Sequence, residues 1–95
     1  MNKYEVLYII NPGVADEERA QLVERFSGIV ANGGGTVEKV DDWGKRKLAY
    51  PIEDLNEGHY ILMNFSAASE VPYELERNLK NNENIMRYLV IRKDA

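Results

Sequence analysis

Apolar residues recur along the chain with two different periods, and the switches between them mark out six elements. "YEVLYII" alternates over residues 3–10 and runs into Asn11-Pro12-Gly13, a turn signal, so a first strand is predicted there. Val6, Tyr8 and Ile10 fall on one of its faces; Glu5, Leu7 and Ile9 fall on the other. Both faces are largely apolar, which suits a central strand covered on both sides in its working state. Over residues 15–31 the period lengthens. Leu22, Val23, Phe26, Ile29 and Val30 form one helical stripe, Asp16, Glu17 and Glu18 suit the positive end of the helix dipole, and Asn32-Gly33-Gly34-Gly35 supplies the stop. A second strand is predicted from Thr36 to about Leu48, with an irregularity near Asp41–Trp43, followed by a loop over Pro51–Gly58, "PIEDLNEG". "HYILMNFSA" is the third strand, with Ile61, Met63 and Phe65 on one face and Tyr60, Leu62 and Asn64 on the other. A second helix is predicted over 69–81, capped by Ser69, with Pro72 in its first turn and Val71, Leu75 and Leu79 as its stripe. "IMRYLVIRK" is the last strand, with Tyr88 and Val90 opposite Arg87, Leu89 and Ile91.

The order strand-helix-strand-strand-helix-strand points to an α+β fold of the ferredoxin-like split βαβ type (βαββαβ). Right-handed crossovers place both helices on one face of a four-stranded antiparallel sheet. Ninety-five residues are read as a single domain over 1–95. The expected core is Val6, Tyr8, Ile10, Phe26, Val30, Ile61, Met63, Phe65, Leu75, Leu79, Tyr88 and Val90. The opposite sheet face has no covering element in the chain, yet it carries Leu7, Ile9, Tyr60, Leu62, Leu89 and Ile91. A contiguous apolar patch drawn from three strands marks a partner site. Sheets of this fold that bind single-stranded RNA stack bases on aromatics of the central strands. Here Tyr60 is the one such aromatic among aliphatic neighbours, so the face reads as protein-binding.

Composition sharpens this picture. The chain has no cysteine, so disulfides and thiolate metal sites are excluded, and no apolar run approaches the length of a membrane helix. "MNKYEVLYII" does not read as a signal peptide, in keeping with a cytoplasmic protein. The net charge of −4 argues against a generic nucleic-acid binder, but it is unevenly spread: residues 51–83 carry −5, while 32–50 carry +1 and 84–95 carry +2. Catalytic signatures are missing. His59 stands alone, Ser27, Ser66 and Ser69 lie in no nucleophile motif, and "NGGG" lacks the Lys-Ser/Thr ending of a phosphate-cradling loop. The acid pairs Asp41-Asp42 and Glu53-Asp54 read as solvated turns rather than metal ligands. No metal site, cofactor or small-molecule substrate is therefore expected.

"WGKRKLAYPI", residues 43–52, holds three consecutive cations, a quarter of the twelve Lys and Arg residues, after the single Trp. In an extended strand Lys45 and Lys47 share one face while Arg46 points to the other, with Leu48 and Tyr50 on its side. Two readings stay open on chemistry alone: a charged hairpin edge that discourages aggregation, or a grip on phosphates. "GKRKLAYPI" resembles the signature of the bacterial small-subunit ribosomal protein S-six family. "YEVLYIINP", "GGGTVEKVDDWGKRKLAYPI", "GHYILMNF" and "NIMRYLVIRK" resemble its first strand, second strand with hairpin, third strand and last strand, covering residues 1–93 in order.

The resemblance implies a ferredoxin-like, non-enzymatic ribosomal component. It would join the central domain of 16S ribosomal RNA as a heterodimer with ribosomal protein S-eighteen. Tyr4, Glu5, Gly44, Arg46, Leu48, Ala49, Tyr50, Pro51, Ile52, Gly58 and Arg87 match family positions. Arg46 and Arg87 are assigned to RNA or partner contact, with Lys3, Lys45, Lys47, Arg92 and Lys93 as further RNA-facing cations. Leu7, Ile9, Leu48, Tyr50, Tyr60, Leu62, Leu89 and Ile91 are assigned to the protein partner, with packing within the hairpin as the alternative for Leu48 and Tyr50 and the role assigned to Ile52, and Trp43 to anchoring the hairpin surface. Glu53 departs from the neutral or basic residue commoner there, which would end the basic patch at Lys47. Two rival readings remain: a small-molecule-binding regulatory module that homodimerises through its sheet, and an acylphosphatase-like hydrolase. The second is disfavoured because "NPGVADEE" offers no Arg for an anion.

Overall fold

The computed structural model describes residues 1–52 and 55–93. The elements run β1 (Asn2–Ile10), α1 (Asp16–Asn32), β2 (Thr36–Ile52), β3 (Leu55–Ala67), α2 (Val71–Lys80) and β4 (Ile85–Arg92). Each neighbouring pair is antiparallel, in the order β2-β3-β1-β4. This is the predicted ferredoxin-like sandwich. Alternation explains its core. Val6, Tyr8 and Ile10 from β1 and Ile61, Met63 and Phe65 from β3 are buried beneath Leu22, Phe26 and Val30 of α1 and Val71, Leu75 and Leu79 of α2. The Tyr8 ring meets Phe26 edge-on at 5.2 Å, and Tyr4 stacks on Phe65 at 5.4 Å, both favourable aromatic arrangements. Tyr88 and Val90 pack against this core only in part, because β4 is an edge strand. Gly34 takes the left-handed conformation (φ 83°) after α1, and Gly35 bonds back to the Val30 carbonyl at 2.9 Å, closing the helix.

Two local expectations are corrected. Ser69 does not cap α2: the N-cap is Glu70, with no side-chain cap, and Ser69 lies in the turn just outside. Pro72 does sit in the first turn, where its missing N–H is harmless. The second correction matters more. Residues assigned to a loop over Pro51–Gly58 belong largely to strands, for β2 continues to Ile52 and β3 begins at Leu55. β1 pairs with β3 no further than His59, so Leu55–Gly58 and their β2 partners extend beyond the sheet as a two-stranded arm. Pro51 is tolerated because β2 is an edge strand.

The arm bends where two features coincide. A register shift falls between Asp42 and Gly44, with Gly44 at φ 75°, and such bulges add twist. Two residues further along, opposite Arg46, Gly58 is packed so tightly that a Cβ there would lie 2.2 Å from Ile9 Cγ2. The bulge is pinned by Asp42. Its Oδ1 accepts the Gly44 backbone N–H at 2.8 Å and lies 2.5 Å from Nε2 of buried His59. Burial pushes the Asp42 carboxyl up, but the Gly44 and His59 hydrogen bonds and the His59 charge outweigh it and hold it below the usual carboxylate range. The buried Tyr8 phenol is pushed well above its ordinary value by burial and then by the Asp42 charge.

Gly58→Ala is expected to destabilise the chain by about 1–3 kcal/mol in urea titrations, the ordinary cost of overpacking. Ile9→Ala in the same chain, which removes the clashing methyl, should recover part of that loss in a double-mutant cycle. Asp42→Asn should lower the urea midpoint at neutral pH. Because the folded pKa is depressed, the contribution is present above the ordinary carboxylate range and is lost as pH falls through the folded value. The gap between variant and parent should therefore close on acidification, and a gap that stays constant would remove Asp42 ionisation from the account.

Candidate nucleic-acid and protein interface

The face away from the helices carries the predicted site. Leu7 and Ile9 of β1, Tyr60 and Leu62 of β3 and Leu89 and Ile91 of β4 lie on it by register, since Leu7 pairs with both Leu62 and Leu89, and Ile9 with Tyr60 and Arg87. The face is not uniformly open, which corrects the expectation that nothing covers it. Leu89 and Ile91 are 56% and 46% exposed, but Ile9 is only 6% exposed because the arm lies over it. Leu48, Tyr50 and Ile52 of the arm line a small cavity together with Ile9, Tyr60 and Arg87. Leu48 is itself buried, so part of its role is packing within the chain. Beyond the arm, Leu7, Ile9, Arg87, Tyr88 and Leu89 line an apolar groove of about 330 Å³.

Two cation–aromatic contacts frame the apolar row. The Trp43 ring lies nearly parallel to Tyr60, 6.3 Å away at 11°, and the Arg46 guanidinium sits 5.4 Å from the Trp43 centroid. At the other side, the Arg87 guanidinium lies 5.1 Å from the Tyr50 centroid and its Nη1 donates to the Tyr50 hydroxyl. Sequence reading missed both contacts. The bulge at Asp42–Gly44 breaks the alternation that would have placed Trp43, and Tyr50 and Arg87 stand 37 residues apart. The triplet of cations divides as predicted: Arg46 is paired opposite Gly58 on the face of the sheet site, while Lys45 and Lys47 pair with His59 and Glu57 on the other.

The seven cations do not form one patch. Lys93 lies at the far end of the sheet, 3.2 Å from Asn64 Oδ1 and 3.8 Å from a Glu5 carboxylate oxygen, and its backbone N–H bonds to the Lys3 carbonyl. Arg92 donates to Asn2 Oδ1 at 3.0 Å and lines a separate groove beside α2 with Tyr4, Pro72 and Tyr73. Arg46 and Arg87 are thus the two that border the apolar row near the arm. His59 points into the core side, where its Nε2 is engaged by Asp42. The pair Glu53-Asp54, and with it the proposed end of the basic patch, lies outside the described residues. Among the described residues no helix is long and apolar enough to cross a membrane.

The family model described as Ribosomal protein S6 matches residues 3–92. A small ribosomal subunit protein bS6 from Alkaliphilus oremlandii is 52% identical over 92 residues, covering 97% of both chains. Its counterpart from Caldanaerobacter subterraneus subsp. tengcongensis is 46% identical over 94 residues, covering 99% of both. Among solved structures, the crystal structure of 30S ribosomal protein S6 from Thermotoga maritima superposes with a TM-score of 0.92 at 36% identity, over 97% of this chain and 87% of that one. With the βαββαβ sandwich and the hairpin signature already in place, these matches show that the chain belongs to the ribosomal protein S6 family.

Proposed function

We propose that this chain is a structural, non-enzymatic component of the bacterial small ribosomal subunit, working in the cytoplasm. In this reading it binds the central domain of 16S ribosomal RNA jointly with ribosomal protein S-eighteen and uses no cofactor. The observation that carries the reading is an aliphatic row on the open face, half-buried Leu7 and Leu62 running into exposed Leu89 and Ile91, bordered by Arg46 and Arg87. Aliphatic side chains pack on a protein and stack poorly on bases. Tyr60, the central-strand aromatic that could have held a base, already has Trp43 on it. That leaves the row for protein and the arginines for phosphate, where a guanidinium adds bidentate geometry. A net charge of −4 and so few clustered cations make the isolated chain a weak RNA ligand, and the pair a tighter one.

The test is titration of a labelled central-domain RNA fragment over a salt series, with and without S-eighteen. Little binding alone and tight, salt-sensitive binding of the pair is the expected result. Arg46→Gln and Arg87→Gln should each lower the magnitude of the log–log salt slope by about 0.7–0.9 if each removes one phosphate contact. Leu89→Asp should weaken assembly with S-eighteen by at least about tenfold, because it buries an unpaired carboxylate, while leaving the monomer folded. No RNA binding by the pair, together with a homodimer in light scattering, would overturn the reading.

A further inference from the structure

The arm reaches across the sheet to a strand it does not pair with. β2 lies at one edge and β4 at the other, with β3 and β1 between them. Tyr50 of β2 nevertheless accepts a hydrogen bond from Arg87 of β4 and stacks its ring against the guanidinium. Ile9 lies buried among the cavity residues contributed by the arm, whereas Leu89 and Ile91 along the same face stay exposed. The arm therefore closes over one end of the apolar row, and Tyr50 and Arg87 are its contact with the far edge.

The chemistry of that contact makes it easy to displace. Arg87 is held by a neutral phenol and a ring face, and among the described residues no carboxylate pairs with it. Tyr50 is about half exposed, so solvent and solutes reach the pair. A phosphate oxyanion offers the guanidinium two parallel charge-assisted bonds, each roughly twice as strong as a neutral one. Beyond the sheet the arm is a two-stranded ribbon, which is marginal in water on its own. The arm's root, by contrast, is fixed by Asp42, His59 and the Gly58–Ile9 packing.

We propose that the arm is a clasp, closed in the free chain by Tyr50 and Arg87 and released when a phosphate oxyanion takes over the Arg87 guanidinium. Release lifts Leu48 and Tyr50 from the sheet and lengthens the apolar row by Ile9. Phosphate capture at Arg87 and access of a protein to this face then favour each other, because both select the lifted arm. The proposal rests on the ribosomal reading only in taking RNA as the natural source of phosphate.

The test is amide hydrogen exchange on the full chain, comparing residues 46–52 and 55–58 with the amides of β1, in sodium triphosphate and in sodium chloride of equal ionic strength. Tyr50→Leu is expected to raise exchange in the arm by about three- to tenfold, from loss of one cation–π contact and one hydrogen bond, with β1 unchanged. Triphosphate should speed arm exchange in the parent more than chloride does, and add nothing in the variant. If Tyr50→Leu disturbs β1 as well, Arg87→Lys, which keeps the charge but loses the planar stack, carries the same expectation. Arm exchange that ignores these substitutions, or a parent that responds to triphosphate no more than to chloride, overturns the clasp. Neither RNA nor S-eighteen takes part, so that failure would leave the RNA-binding reading standing, and a failure to bind RNA would leave the clasp standing.

Discussion

The contact between Gly58 and Ile9 decides where this molecule stops being a sandwich and becomes an arm. Gly58 of β3, two residues from the Tyr60 that pairs with Ile9, carries no side chain, and a Cβ there would collide with the Ile9 methyl. The Ile9 methyl fills the space a side chain at Gly58 would need, and the hairpin inclines over the sheet instead of continuing its plane. On the facing strand the Asp42–Gly44 irregularity supplies the matching twist. Everything distinctive about the open face follows from that inclination. Ile9 loses its solvent, Leu48 gains a packing site, and Tyr50 is carried over two strands to Arg87.

The two faces of the sheet are consequently stabilised in different ways. The helical side is a closed apolar layer in which ten large side chains from Val6 to Leu79 are all but fully buried. Its stability is that of an ordinary core and is not at risk from single surface contacts. On the other side, beside buried Ile9 and Leu48, the outer contacts are small: a guanidinium on an indole, an indole on a phenol, a guanidinium on a second phenol. Such contacts are individually worth about 0.5–1 kcal/mol at exposed sites. A segment secured in this way belongs to the low end of the stability range within a fold, where conformational response to a partner is drawn from.

This division also explains what was legible beforehand. Period-two and period-3.6 patterns exposed the six elements and the membership of the core, because burial on one side leaves a regular mark on the sequence. The parity of Arg46 against Lys45 and Lys47 was readable for the same reason. Pro51 misled, since a proline inside a run demotes it as a strand; an edge strand has no neighbour on its outer side to miss the N–H. Ser69 misled because capping preference is local, while the turn geometry set by packing Val71 into the core moved the helix start one residue on. The arm contacts left no periodic signal at all. Trp43 meets Arg46 across a bulge, and Tyr50 meets Arg87 through a bend whose cause is a missing side chain rather than a present one.

An acidic protein that gathers cations faces a physical problem: exposed arginines beside an apolar row invite non-specific association with any polyanion. The structure answers it by position. Lys45 and Lys47 are turned to the opposite side of the arm from Arg46, so the triplet does not present a single dense charge surface. Arg46 and Arg87 are each laid on an aromatic face, which shields a guanidinium without neutralising it. Many of the acids lie in the helices and their flanks, Asp16, Glu17 and Glu18 at the start of α1 and Glu70, Glu74 and Glu76 around α2, behind the sheet. The long-range field is thus negative overall, and attraction of phosphate is confined to contacts within about a Debye length, ~8–10 Å at physiological salt. Under the proposed function, selectivity comes from the need to satisfy two surfaces together. A polyanion alone meets two occupied arginines, and an apolar partner alone meets a row with one end covered. In the proposed reading, only a ligand that offers phosphate and apolar surface in the right relation engages the whole face.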